Sequence, residues 1–302
     1  MEEINMIYNG ALELIGNTPI IRLNNIDSNI YLKLEKFNIG GSIKDRAVLG
    51  MIEDKMKNKE INVGDTIVEA TSGNTGIALS MIGRLKQLNV IIIMPESMTK
   101  ERIDLMKAYG ADVILTKDKL GMQGSIDKAK ELLNNNKDYK CLNQFENTSN
   151  PKKHYKTTAK EIYKEVSDID IFVCGIGTGG TISGIGRYLK EVNSNIKIIG
   201  VEPESSPLIT KGYSNSHKIQ GIGANFIPKN LDMNVIDEVI TVSDENAINT
   251  IKMLGIKEGI LLGISSGANV YAALELSKKY KDKKIVTVAP DGIEKYLSMD
   301  IF

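Results

Sequence analysis

DIFVCGIGTGGT, Asp170–Thr181, is an apolar run that gives way to glycines and threonines just before the helical pattern of Ile182–Leu189 begins. A buried strand, a glycine turn and a helix in direct succession form the repeating unit of parallel α/β folds, whose ligands settle at the carboxyl ends of strands. The unit recurs along the chain. Further strand candidates are IYLKLE (Ile30–Glu35), TIVEA (Thr66–Ala70), VIIIMP (Val90–Pro95), DVILT (Asp112–Thr116), KCLNQ (Lys140–Gln144), KIIGVEP (Lys197–Pro203), VITV (Val239–Val242) and KIVTVAP (Lys284–Pro290). Amphipathic helical segments lie between most of them, such as Met98–Tyr109, Met122–Leu133, Pro151–Glu165 and Asp244–Leu254. The polar stretch NTSNPKK, Asn147–Lys153, is the best boundary between two units. The pattern predicts an α/β protein of two doubly wound domains with mainly parallel sheets, covered by helices on both faces.

At 302 residues the chain has room for one large domain or two ordinary ones, and 42% hydrophobic with 25% charged residues is an ordinary globular balance. Lys and Arg number 38, as do Asp and Glu, so no basic surplus exists to attract nucleic acid or an anionic membrane. The longest unbroken apolar run, Val90–Met94, is far too short to span a bilayer. The opening MEEINM is acidic where a secretory leader is basic, which makes the cytoplasm the expected compartment. Cys141 and Cys174 sit in strand-like sequence and are expected in the core. His154 and His217 have no second ligand at metal spacing, so no metal site is expected.

Four stretches carry chemistry. GIGTGGT, Gly175–Thr181, lets a backbone approach its guest closely at a helix start, with Thr178 and Thr181 as hydroxyl donors, and phosphate is the natural guest. Gly175, Gly177 and Gly180 also satisfy G-x-G-x-x-G, and Glu202 ends the next strand where a ribose-binding acid belongs. An NAD-dependent oxidoreductase is therefore a serious rival, although dinucleotide domains usually carry this loop on their first strand. TSGNTG, Thr71–Gly76, opens another helix with hydroxyls and N–H groups that suit a carboxylate, or with no more than a well-capped turn. In NIGGSIKDR, Asn38–Arg46, a glycine turn and a capping pair of Ser42 and Asp45 put Lys44 in the first turn of a helix. The positive end of the helix dipole disfavours a cation there, so the amine sheds its proton readily, as Schiff-base chemistry requires. The plainer reading is a solvated lysine. LLGISSGA, Leu261–Ala268, places Ser265 and Ser266 before a helix, where capping is the plain reading.

Taken in order with GNTPIIRL (Gly16–Leu23), NQFEN (Asn143–Asn147), HYKTTAKEI (His154–Ile162), GIGANFIPKNLD (Gly221–Asp232) and EKYLS (Glu294–Ser298), these motifs resemble the cysteine synthase family over nearly the whole chain. That family comprises the O-acetylserine sulfhydrylases and the related cystathionine β-synthases. The resemblance implies fold type II of the pyridoxal-phosphate enzymes, like the tryptophan synthase β chain. It implies a larger cofactor-binding domain of residues 1–36 and 147–302 and a smaller mobile domain of residues 37–146. It further implies pyridoxal 5'-phosphate as cofactor, carried by Lys44, which also removes the substrate's α-proton. Gly177, Thr178, Gly179, Gly180 and Thr181 match the phosphate cradle, Asn74 the residue beside the cofactor's 3'-oxygen, and Ser265 the hydroxyl facing the pyridine nitrogen. Thr71, Ser72, Thr75 and Gln144 match the grip on the substrate carboxylate.

The implied reaction is β-replacement through an aminoacrylate, turning O-acetyl-L-serine and sulfide into L-cysteine and acetate. A serine opposite the ring nitrogen makes a weaker electron sink than an aspartate, which suits α-proton loss coupled to departure of a β-leaving group. A homodimer and serine acetyltransferase are the partners implied. The chain departs from the family at Ile39, where proline is usual, and at Asn225, where sulfhydrylases commonly have glycine. A polar side chain at the nucleophile's entry could bind water or a second amino acid. Asn225 therefore opens the alternative of L-cysteine as donor, with release of hydrogen sulfide and formation of serine or lanthionine.

Overall fold

The computed structural model describes residues 7–71, 73–299 and 301. The apolar runs form strands β1 (Ile20–Leu23), β2 (Asp27–Leu34), β3 (Thr66–Ala70), β4 (Asn89–Pro95), β5 (Asp112–Thr116), β6 (Ile171–Gly175), β7 (Lys197–Pro203), β8 (Glu238–Val242) and β9 (Ile285–Ala289). The helices are α1 (Lys44–Lys57), α2 (Asn74–Leu85), α3 (Lys100–Ala108), α4 (Gly121–Asn135), α5 (Ser149–Lys156), α6 (Thr158–Glu165), α7 (Gly180–Val192), α8 (Leu208–Lys211), α9 (Asp244–Glu258) and α10 (Ile264–Lys279). The larger sheet has the order β1-β2-β9-β6-β7-β8 and the smaller β3-β4-β5. All pairings are parallel except that of β1 with β2.

Burial is continuous along the inner strands, with successive side chains entering cores on opposite faces, as a sheet covered on both faces requires. In β6, Ile171 and Val173 face a core shared with Ala268, Ala272 and Leu276 of α10, while Phe172 and Cys174 face one shared with Ile162 of α6 and Ile182 and Ile185 of α7. In the smaller sheet Ile67 and Ile92 pack with Val48, Ile52, Ile77 and Ile82 of α1 and α2, whereas Val68 and Ile93 meet Ala129 of α4 on the other face. Each fully buried aliphatic side chain of this kind stabilises the fold by about 1.5–3 kcal/mol. No helix among the described residues is long and apolar enough to cross a membrane.

Four sequence expectations change. KCLNQ is not a strand. Lys140 makes a single parallel bridge to Ile67, after which the Glu69 carboxylate takes the Leu142 N–H and Asn143 turns to φ 55°. Cys141 is accordingly half-buried, its thiol donating to Glu69 Oε2 at 3.1 Å, whereas Cys174 is a core residue as expected. Pro151–Glu165 is two helices broken at Thr157, whose ψ of −75° ends α5. Ser42 and Asp45 do not form a capping pair. Ile43 is the cap position of α1, the Ser42 hydroxyl accepts from the Lys44 N–H, and the Asp45 carboxylate folds back onto the Gly40 N–H. The GNTPIIRL stretch also supplies β1, which pattern reading left unassigned.

Candidate active site

The chain leaves β6 at Gly175 and enters α7 at Gly180. Gly179 stands at φ 79°, a left-handed conformation that favours glycine. A Cβ at Gly177 would lie 2.3 Å from the Gly221 carbonyl oxygen, and one at Gly180 2.1 Å from Asn150 Oδ1, so neither position admits a side chain. The N–H groups of Gly177, Thr178 and Gly179 have no acceptor among the described residues, and the first turn of α7 adds its own free donors. The result is a concave set of N–H donors at the positive end of a helix. Glu202, in contrast, is already engaged. It accepts from the Ile209 and Thr210 N–H groups and from the Thr210 hydroxyl, capping α8, and so cannot serve a ribose.

The lysine loop is stitched to the end of β9. Ser42 pairs with Asp291 in an antiparallel bridge, and the Ile43 N–H donates to the Pro290 carbonyl at 2.9 Å. Lys44 is half-buried, and its amine is pushed below the usual lysine range mainly by burial, with Asp291 and Cys174 opposing. The expected lowering is therefore present, with burial as its leading cause. Asp291 is fully buried. Its Oδ2 accepts from Asn74 Nδ2 and from the Tyr296 hydroxyl, both at 2.7 Å, and its Oδ1 has no partner. Sequence reasoning missed Asp291; an acid at the carboxyl end of a strand was the available signal.

Other predicted residues fall into two groups. The Thr75 hydroxyl donates to Gln144 Oε1 at 2.7 Å, and Asn150 Nδ2 reaches both the Gln144 carbonyl and Thr178 Oγ1 at 3.0 Å. Asn150, also missed from the sequence, thus staples the Gln144 loop to the glycine loop. Asn230 adds a second donor to the same carbonyl at 2.9 Å. Thr71 is buried at the end of β3, its N–H bonded to the Ile93 carbonyl. Ser265 is buried in the first turn of α10 facing Gly221, and its hydroxyl has no partner among the described residues. Asn225 stands exposed and unbonded beside Phe226, which packs edge-on against Phe145 at 4.9 Å. Ser72 lies outside the described residues.

Residues 11–291 match the model of the pyridoxal-phosphate dependent enzyme family. A cysteine synthase B of Campylobacter jejuni is 54% identical over 297 residues, which cover 98% of this chain and 99% of that protein. The chain belongs to the cysteine synthase family. Among solved structures, a hydrogen sulfide-producing enzyme of Fusobacterium nucleatum superposes with a TM-score of 0.92 at 48% identity, covering 96% of this chain and all of the other. An O-acetylserine dependent cystathionine β-synthase of Helicobacter pylori gives 0.91 at 41% identity, over 99% of this chain and 100% of its own.

The family's pyridoxal phosphate fits the geometry. A glycine loop packed too closely against Gly221, Leu231 and Asn150 to admit side chains at Gly177, Gly179 and Gly180 offers unpaired N–H donors for a phosphate, and a lysine whose pKa burial lowers is available for a carbonyl carbon. Asn74 Oδ1 and Asp291 Oδ1 are buried without partners beside that lysine's loop. Among the described residues no group of His, Cys, Asp and Glu could hold a metal ion.

Proposed function

We propose that the chain makes L-cysteine from O-acetyl-L-serine and sulfide, releasing acetate. The observation that carries this reading is the desolvated Lys44 amine, fixed by the Ser42–Asp291 bridge beside a glycine cradle built for a phosphate. In it, Lys44 carries the cofactor, Gly177–Thr181 hold the phosphate, Asn74 and Ser265 address the ring, and Thr71, Ser72, Thr75 and Gln144 grip the carboxylate. Bound there, pyridoxal phosphate supplies an electron sink for the α-carbon. Lys44 accepts the α-proton as the bond from the β-carbon to acetate breaks, and returns it to the α-carbon once sulfide has taken acetate's place on the β-carbon. The Ser265 hydroxyl would face the ring nitrogen, where a neutral donor would leave the sink weaker than a carboxylate would and so favour loss of the leaving group.

The unit of residues 37–146 closes over residues 1–36 and 147–302 and excludes water. Two observations support that division: the separate sheets, and β2 pairing with β9 in the larger one. The working form we propose is a cytoplasmic homodimer open to serine acetyltransferase, which sedimentation and co-elution test.

A second reading has L-cysteine as donor with release of hydrogen sulfide, favoured by the Fusobacterium relative and by the exposed, unbonded amide of Asn225. One experiment separates the two. The purified protein is given either O-acetyl-L-serine with sulfide or L-cysteine alone, and kcat/KM is compared. A larger value for the first pair supports cysteine synthesis. A larger value for L-cysteine makes sulfide release the function, and turnover of neither overturns both.

A further inference from the structure

His154 lies on α5 with 1% exposure, and the mechanism above makes no use of it. Its Nδ1 is 3.0 Å from Thr158 Oγ1 at the start of α6, and its Nε2 is 3.3 Å from Thr181 Oγ1 in the first turn of α7. The ring reaches Thr181 because the two helices touch at a glycine: a Cβ at Gly184 would lie 2.2 Å from the Pro151 carbonyl oxygen and 2.9 Å from His154 Cβ. The imidazole therefore connects a fully buried hydroxyl on one side with the last residue of the glycine cradle on the other.

Hydrogen counting selects one arrangement. Thr158 is wholly buried, and its hydroxyl has no partner among the described residues except His154 Nδ1. If Nδ1 carried the proton, the Thr158 hydrogen would have no acceptor, a cost of about 1–3 kcal/mol. Nε2 would then accept the Thr181 hydroxyl hydrogen and turn it away from the cradle. With Thr158 donating to Nδ1, Nε2–H donates to Thr181 Oγ1, and the Thr181 hydrogen is left to point at an anion.

We propose that His154 is a positioning residue: Thr158 fixes its proton on Nε2, and the ring thereby aims the Thr181 hydroxyl at an anionic oxygen seated at the N-terminus of α7. The proposal rests on the reading of Gly177–Thr181 as a phosphate seat. Burial, with the Arg46 and Lys44 charges adding to it and Glu161 opposing, holds the ring down to about 3, so this relay keeps its form at any pH the enzyme meets.

The chain has two histidines, so ring nitrogens labelled with 15N are readily assigned, with His217→Gln identifying the second. Long-range proton–nitrogen correlation is expected to show His154 with a bare Nδ1 and a protonated Nε2, unchanged from pH 8 to 5. Titration with pyridoxal phosphate gives the second readout. Thr158→Val and Thr181→Val should each raise the dissociation constant about tenfold, the loss of one charge-assisted hydrogen bond. The double variant should be no weaker than Thr181→Val, since Thr158 acts only through that hydroxyl. A proton on Nδ1, or additive losses in the double variant, would overturn the proposal while leaving the phosphate seat intact. Failure of the unaltered protein to bind pyridoxal phosphate would overturn the phosphate seat itself, and the relay's role with it, whatever the tautomer.

Discussion

Lys44 is a half-buried base and His154 a fully buried one, and burial serves them differently. In Lys44 it lowers the amine's pKa. Lys44→Ala should lower kcat by at least about a thousandfold, because one amine serves as both cofactor anchor and proton acceptor. The thermal midpoint of the unloaded variant should stay within a few degrees of the native one, which separates lost chemistry from lost fold. In His154 burial keeps a proton away, and this makes stability depend on pH. The folded ring titrates near 3 and the unfolded one near 6.5, so between those values the unfolded chain binds the extra proton and stability falls as pH falls. From pH 7 to 5 the loss from this residue is about 2 kcal/mol. Asp45, pushed up to about 7 by burial, acts in the opposite sense, since its folded carboxyl keeps a proton that the unfolded one releases above 3.8. On going from pH 7 to 5 the stability of the native chain, read from urea unfolding, should therefore change less favourably than that of His154→Gln by about 2 kcal/mol, with Asp45 contributing equally to both.

Helices and strands meet here through two devices, a shared ion and a shared glycine. The Arg46 guanidinium of α1 is 1% exposed and contacts both oxygens of buried Glu35, next to β2, and both of Glu161 on α6, which also receives Lys33 of β2 at 2.8 Å. Arg46→Ala would leave Glu35 charged and unpaired, and we expect a loss of about 3–5 kcal/mol in urea unfolding. Gly184→Ala would force α5 from α7 and should cost about 1–3 kcal/mol, visible as a lower thermal midpoint. Neither device is legible in a single sequence, because periodicity reveals which face an element buries and not which partner it meets. Strands β2 to β9 were readable as short apolar, β-branched runs. KCLNQ misled for the same reason: its alternation is strand-like, but a carboxylate from β3 claims its backbone. The glycine and serine loops were readable because their composition is itself the chemistry. Asp291 was not, since an acid after a strand looks like any turn residue.

At the level of the whole molecule, the smaller sheet's unit is latched to the segment that follows β9. Arg102 of α3 lies over the Tyr296 ring at 4.9 Å, the Thr99 hydroxyl donates to the Lys295 carbonyl, and Ser298 donates to Glu101. Arg102→Ala should loosen this latch. Deuterium uptake followed by mass spectrometry should rise in β5 and stay unchanged in β6, and equal uptake in native and variant chains would show that the contact is not a restraint.

The order β2-β9-β6 also has a consequence in time. A ribosome delivers β2 almost first and β9 almost last, yet Ile30 must lie against Ile285. Residues 66–116, whose three strands pair among themselves, can fold while the rest is still being made. The reactive lysine cannot be seated so early, because the bridge from Ser42 waits for Asp291. The lysine's seat is thus completed only when the last strand of the larger sheet is in place.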